Sequence, residues 1–173
     1  DENRFKRLLK DGIVYTNTAY PFSPIDRASA ISSIYTGTTP YYNGIVGARW
    51  LNKETLRPVY CVDDEKYTGY LTSDKSSPKN LSTSTIGDEL KVATNGKSIV
   101  YGIAPFRDAA ILSAGHAADG AIWIDDNNGY WCSSSYYFKT PTSWLQAYNS
   151  LNSLTKMVEV KLQPINRLPA NCS

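Results

Sequence analysis

Apolar residues recur at two spacings along the chain, and these spacings predict an alternation of helices and strands. Apolar residues three and four positions apart predict helices, as on the face formed by Phe5, Leu8 and Leu9. Pro, Gly and Asn-Gly pairs mark most of the helix ends. The helices predicted in this way are 4–10, 27–35, 84–93, 107–114 and 141–149.

Alternating apolar and polar residues, together with one continuous apolar run, predict the strands. The predicted strands are 13–20, 97–104, 121–125, 130–138 and 156–162. Residues 126–129, Asp-Asn-Asn-Gly, have the composition of a turn that joins two of these strands as an antiparallel hairpin. Residues 50–83 are polar and rich in turn formers, with at most a short strand at 61–62. The alternation predicts a layered α/β fold that contains one antiparallel hairpin.

Length and charge narrow the class of protein. A chain of 173 residues is long enough to bury one core, so we expect a single domain over residues 1–173. The net charge is only +2, and no basic cluster extends beyond one face of the first helix, which argues against nucleic-acid binding. No apolar run reaches the length of a transmembrane helix.

Cysteines and paired carboxylates are weak candidates for metal or disulfide chemistry. Cys61, Cys132 and Cys172 are too far apart for a CxxC site, and their odd number leaves at least one thiol unpaired. A bridge between Cys61 and Cys132 stays open. The acidic residues at 63–65 and 125–126 could bind calcium, but they follow no EF-hand pattern, so solvated turns are the better interpretation.

Three stretches of the chain carry motifs of one family. They read RFKRLLKDGIVYTNTAYPFSP, SSIYTGTTPYYNGIVGARW and STIGDELKVATNGKSIVYGIAPFRDAAILSAGHAADGAIWID. The chain resembles the alkaline phosphatase superfamily, specifically its type I phosphodiesterase/nucleotide pyrophosphatase branch and the related bacterial secreted phosphatases. The resemblance runs over residues 4–149, whereas 150–173 match no motif of the family. It implies a shortened alkaline-phosphatase-like α/β fold and a secreted or periplasmic location.

The resemblance also implies a chemistry that this chain does not match. Members of the family hydrolyse phosphate esters with two zinc ions, held by Asp and His, and a Thr or Ser nucleophile. The nucleophile lies nine residues before the Thr of the TG pair, here Thr36, so its position is Arg27. A guanidinium cannot attack phosphorus. With His116 as the only histidine, we expect no metal cofactor and no catalytic residue in this chain.

The positions that would hold phosphate are changed as well. The family's HGIxxN motif reads NGIVGA here, so that Asn43 replaces the histidine and Ala48 replaces the phosphate-binding asparagine. The Lys-x-Arg pair of the related monoesterases becomes Phe106 and Asp108. Each change removes a donor or a positive charge. We therefore interpret the family site as degenerate.

Several residues near these positions have alternative interpretations. Arg27, at a helix N-terminus, could bind an anion, although Asp26 beside it is the simpler partner. Ser32 and Ser33 could replace the lost nucleophile. Because no histidine base is nearby in the sequence, we interpret them as ordinary helix serines. His116 could be a ligand or a general base, although a structural histidine bonded to a backbone carbonyl is favoured.

Aromatic residues could supply a contact surface for a protein or a glycan, although most of them should simply pack half-buried. The set comprises Tyr41, Tyr42, Trp50, Trp123, Trp131, Tyr136 and Tyr137. The family's first strand has no counterpart here, and we hypothesise that the strand predicted at 156–162 takes the place of that strand.

The leading functional hypothesis is a non-catalytic member of the family that binds a protein or glycan partner or has a structural role. The alternatives are a phosphoesterase, or a fragment of one, and a module that binds phosphate or nucleotide without turnover.

Overall fold

The structure, a computed structural model, describes residues 2–140 and 142–151. Its helices are α1 Glu2–Asp11, α2 Arg27–Thr36, α3 Pro40–Asn43, α4 Ile86–Ala93, α5 Arg107–Ala114 and α6 Ser143–Leu151. Its strands are β1 Arg49–Leu51, β2 Pro58–Tyr60, β3 Gly69–Tyr70, β4 Tyr101–Ile103, β5 Gly120–Ile124 and β6 Trp131–Ser134.

Four of the strands form a mixed sheet in the order β3-β6-β5-β4. β5 pairs antiparallel with β6, and β6 pairs antiparallel with β3. β4 pairs parallel with β5, and α5 provides the crossover between them. β1 and β2 form a separate antiparallel pair in which Arg49 lies opposite Tyr60. The prediction of an α/β fold with an antiparallel hairpin is confirmed.

The core lies between the sheet and two helices stacked on it. α5 packs against β4 and β5, and α2 packs against α5. Ile111, Leu112 and Trp123 are fully or almost fully buried there. Gly102 lets the layers approach, because a Cβ at this position would lie 2.7 Å from the Ala114 Cβ and closer still to the Ala110 carbonyl oxygen.

The helices at 4–10, 27–35, 84–93, 107–114 and 141–149 are confirmed as α1, α2, α4, α5 and α6, with shifts of up to two residues at their ends. The strand predictions at 97–104 and 130–138 were too long. The apolar side chains of Ile86 and Val92 on α4 are exposed and keep about 70% of their surface. The predicted strand 156–162 lies outside the described residues.

The strand predicted at 13–20 is absent from the described residues. Its side chains are exposed, with Ile13 at 83% and Tyr15 at 79%. An alternating pattern forms a strand only where a neighbouring strand supplies hydrogen bonds, and this segment has no such neighbour in the described part of the chain. The hairpin of β1 and β2, by contrast, was missed in a region interpreted as loops.

Candidate functional site

A cavity of about 500 Å³ lies where the starts of α2 and α5 meet the β1–β2 hairpin and the β5–β6 turn. Its wall comprises Arg27, Ala48, Arg49, Tyr60, Asp74, Phe106, Arg107, Trp123, Ile124, Asp126 and Asn127. Three of the family positions that changed chemistry, at 27, 48 and 106, therefore share one cavity, and Asp108 lies directly behind Arg27.

Arg27 and Asp108 form the central ion pair of this site. The Arg27 Nε–H donates to both Asp108 oxygens, at 3.0 and 3.1 Å. Asp108 is fully buried, whereas the Arg27 side chain keeps 42% of its exposure. The guanidinium carbon also lies 3.9 Å from the centre of the Phe106 ring. Burial lowers the pKa of Arg27, but the Asp108 carboxylate outweighs burial and raises it.

Asp26 is not the partner of Arg27 that the sequence suggested. Asp26 is the N-cap of α2, where its carboxylate accepts from the Ser29 amide at 2.8 Å. Its other oxygen accepts from the Ala48 amide at 2.5 Å. These bonds fix the start of α2 against the segment before β1, and so they hold Arg27 and Ala48 on the same wall of the cavity.

Tyr60 lies at the centre of three arginines. Arg107 binds Asp63 at 3.0 Å and Asp74 at 3.4 Å, and its guanidinium lies 4.4 Å from the Tyr60 ring centre. The Arg49 guanidinium lies 5.5 Å from the same ring. Arg27, on the same cavity wall, favours the phenolate and so acts to lower the pKa of Tyr60. Burial of the phenol and the negative charge of Asp108 raise the pKa of Tyr60 to about 12, so the phenol stays protonated at neutral pH.

Asn43 has a structural role away from the cavity. It is fully buried, its amide donates to the Thr38 carbonyl at 3.2 Å, and its Oδ1 accepts from the Ile45 amide at 2.9 Å. It therefore holds the turn that follows α3. Among the altered family positions, Arg27 contacts both Phe106 and Asp108. Ala48 lies on the same cavity wall, and Asn43 supports the loop that leads to it.

The serines of α2 are arranged as helix serines. Ser32 is fully buried, and its Oγ–H donates to the Ser29 carbonyl at 3.1 Å. The Ser33 Oγ is buried and has no hydrogen-bond partner among the described residues. Neither serine lines the cavity around Arg27.

His116 faces a carboxylate rather than the backbone carbonyl that we expected. Its Nδ1 lies 3.5 Å from Asp88 Oδ2, and its backbone amide donates to Asp88 Oδ1 at 2.9 Å. The Ala117 amide donates to the same oxygen at 2.6 Å. Asp88 also completes the capping box of α4 with Thr85. His116 thus belongs to the loop that closes over this helix start.

The acidic turns have defined internal partners. Asp64 is buried and accepts from the Ser77 Oγ at 2.5 Å, and Asp125, 2% exposed, accepts from the amides of Asn127 and Asn128. The expectation of solvated turns is therefore wrong for these two residues.

Burial also raises the pKa of Cys61 to about 12, and the structure contains Cys61 and Cys132 as free, buried thiols.

The described residues do not fit the two zinc ions that the family resemblance implies. Across 2–140 and 142–151, no three His, Cys, Asp or Glu side chains converge into a metal site. The absence of a cofactor stays a prediction.

The aromatic residues do not form a single exposed surface. Tyr41 and Tyr42 on α3 are exposed and stack edge to face at 4.9 Å. Trp123 is 1% exposed, and Tyr137 donates its hydroxyl to the Gly115 carbonyl at 2.8 Å. A partner that contacts this set remains a prediction.

No helix within the described ranges is long and apolar enough to cross a membrane.

The fold that carries this site matches about a third of an alkaline phosphatase. The crystal structure of wild-type alkaline phosphatase PafA matches 97% of this chain with a TM-score of 0.86 and 35% identity. A PafA variant with four substitutions matches 90% of the chain with a TM-score of 0.81. The family model described as type I phosphodiesterase / nucleotide pyrophosphatase matches residues 1–167, and the chain belongs to this family.

Curated relatives agree with this assignment over part of their length. Alkaline phosphatase PhoV of Synechococcus elongatus is 39% identical over 90% of this chain, and alkaline phosphatase PafA of Elizabethkingia meningoseptica is 37% identical over 96% of it. A Myroides odoratus protein named calcium-transporting ATPase is 42% identical over 86% of it. The chain spans about 30% of the length of these relatives.

Sequence reasoning missed the second half of the cavity. Tyr60 and Asp74 lie in the region 50–83 that was interpreted as loops, and Arg49, at the end of the second family stretch, was not singled out as a site residue. The local signal that could have found the hairpin is Asn52, whose Oδ1 accepts from the amides of Glu54 and Thr55 to shape its turn.

Proposed function

We propose that this chain is a non-catalytic member of the type I phosphodiesterase family, in which the phosphoryl-transfer site has become a binding site. The observation that carries the proposal is the ion pair of Arg27 with the fully buried Asp108. The position of the nucleophile holds a guanidinium, and that guanidinium is already neutralised by the protein. A phosphate group entering this site would meet a buried carboxylate where the family motif has an arginine.

The substitutions in the second PafA structure support this correspondence of positions. They replace a threonine, an asparagine, a lysine and an arginine. In PafA the threonine and asparagine are separated by the same number of residues as Arg27 and Ala48 here, and the lysine and arginine by the same number as Phe106 and Asp108. The four residue types are those that the family motifs call for at these positions. The resemblance also supports a secreted or periplasmic location.

A hydrolysis assay tests the proposal. The full product of the gene is loaded with zinc and incubated with an aryl phosphate monoester and an aryl phosphate diester. Because no hydroxyl lines the nucleophile position, we expect no zinc-dependent product above the buffer blank for either ester.

The opposite result identifies the alternative, a phosphoesterase with a rebuilt nucleophile. Zinc-dependent hydrolysis that disappears in Ser32→Ala or Ser33→Ala would contradict the proposal. Ser113→Ala is the matched control, because the Ser113 hydroxyl donates to the carbonyl three residues before it, just as the Ser32 hydroxyl does. That control should behave as the unmodified protein does in either case.

A further inference from the structure

The cavity around Tyr60 contains two charged side chains that no oppositely charged group among the described residues neutralises. Arg27 is paired with Asp108, and Arg107 is shared by Asp63 and Asp74. Arg49 has no carboxylate partner in the described part of the chain, where its charge contacts only the Tyr60 ring.

Asp126 is the unpaired counterpart of Arg49 on the same wall. It lies in the β5–β6 turn, is exposed, and forms no ion pair with any described residue, Arg49 included. The wall of one cavity therefore presents a free cation and a free anion that do not reach each other. An occupant that satisfies both must carry both charges.

A buried donor in the same wall is also without a partner. Trp123 is 1% exposed and lines the cavity, and its indole Nε1–H has no hydrogen-bond acceptor among the described residues. Buried N–H groups are normally paired, because an unpaired donor loses its hydration without compensation. The unpaired indole is independent of the charges and indicates an acceptor oxygen that none of the described residues supplies.

The balance of charge decides between classes of ligand. Four carboxylates, Asp63, Asp74, Asp108 and Asp126, surround three guanidiniums in and behind the wall. A dianion such as phosphate would therefore enter a site with an excess of negative charge. A zwitterion adds no net charge, yet its two ends can meet Arg49 and Asp126 separately.

We propose that this cavity binds a free α-amino acid as its zwitterion. The carboxylate pairs with Arg49 and accepts from the Trp123 indole, and the ammonium pairs with Asp126. A volume of about 500 Å³ accommodates even the largest amino acids, and the rings of Tyr60 and Phe106 favour an apolar or aromatic side chain. This inference rests on the proposed function, since it requires the site to bind rather than to hydrolyse.

The test compares a zwitterion with its two singly charged analogues by isothermal titration calorimetry. L-Phenylalanine carries both charges, N-acetyl-L-phenylalanine only the carboxylate, and L-phenylalaninamide only the ammonium. Each charge-assisted contact should contribute about tenfold in affinity, so both analogues should bind about tenfold more weakly than L-phenylalanine. Inorganic phosphate should give no binding heat at the same concentrations.

Two variants assign each charge to its residue. In Arg49→Gln, L-phenylalanine and L-phenylalaninamide should bind with equal affinity. In Asp126→Asn, L-phenylalanine and N-acetyl-L-phenylalanine should bind with equal affinity. Arg57→Gln and Glu54→Gln are the controls, since both side chains are exposed on the β1–β2 hairpin outside the cavity wall and should leave every affinity unchanged.

Three outcomes would overturn the inference. They are no binding of L-phenylalanine at about 10 mM, equal binding of all three compounds, or binding that neither variant changes. Absence of binding together with absence of hydrolysis would overturn this inference and leave the non-catalytic function standing. Absence of binding together with zinc-dependent hydrolysis would overturn both.

Discussion

Arg27 occupies an electrostatically unfavourable place for a cation, the first residue of α2, where the positive end of the helix dipole lies. The carboxylates of Asp26 and Asp108 offset that cost on two sides. Family motifs could single out positions 27 and 108 from the sequence. They could not predict the pairing, because the two residues are 81 positions apart and a nearer carboxylate stood beside Arg27.

The charge of Asp88 makes the stability of the folded state depend on pH. Burial raises its pKa, but hydrogen bonds from the Thr85 and Ala117 amides outweigh burial and hold that pKa below the ordinary 3.8. A carboxylate with a depressed pKa stabilises the folded state at pH values above its unfolded pKa. That stabilisation is lost as the pH falls below about 3.8 toward the lower folded pKa.

We expect Asp88→Asn to lower the free energy of unfolding at pH 7 by about 1–3 kcal/mol, because an amide replaces an acceptor of several hydrogen bonds. The difference between variant and unmodified protein should shrink as the pH falls below about 3.8. Urea unfolding at several pH values between 7 and 3 measures this difference in the free energy of unfolding. Asp11→Asn, at an exposed carboxylate, is the control, and a constant difference at every pH would contradict the assignment.

Among the elements, the helices were predictable because their signals are local. Caps and periodic small or apolar residues set the limits of α2, α4 and α5 within a few positions. Strands were less predictable, because pairing depends on distant segments. The residues at 13–20 alternate but pair with nothing in the described part of the chain, whereas β1 and β2 pair through a turn without Asn-Gly or Asp-Gly.

The contact of β4 with α5 gives a prediction at the level of elements. Gly102→Ala places a methyl group 2.7 Å from the Ala114 Cβ, so helix and strand must separate. We expect a loss of about 1–3 kcal/mol in the free energy of unfolding, measured in urea. Ile99→Ala, just before the same strand at a side chain that is 78% exposed, should change it by less than about 0.5 kcal/mol. Equal stability of the two variants would contradict this packing.

At the scale of the whole molecule, the cavity is a product of the fold. Its wall draws on α2, the β1–β2 hairpin, α5 and the β5–β6 turn, which are far apart in sequence. Motif comparison therefore located the altered family positions but not the opposing side of the site. The chain matches the fold of a phosphatase over about a third of that enzyme, and within this part the altered positions pair with one another.

Arg27 and Asp108 form one coupled ion pair at two altered family positions, and a double-mutant cycle in urea measures how strongly they depend on each other. Arg27→Met leaves a fully buried carboxylate almost unpaired and should cost about 3 kcal/mol. Asp108→Leu leaves a guanidinium that still reaches water and should cost about 1 kcal/mol.

The double variant removes both charges, so we predict that it is more stable than Arg27→Met alone, with a coupling energy of at least about 1.5 kcal/mol. If the losses in free energy of unfolding of the two single variants add up to that of the double variant within about 0.5 kcal/mol, the coupling is absent, and Arg27 is then a free cation in the position of the nucleophile.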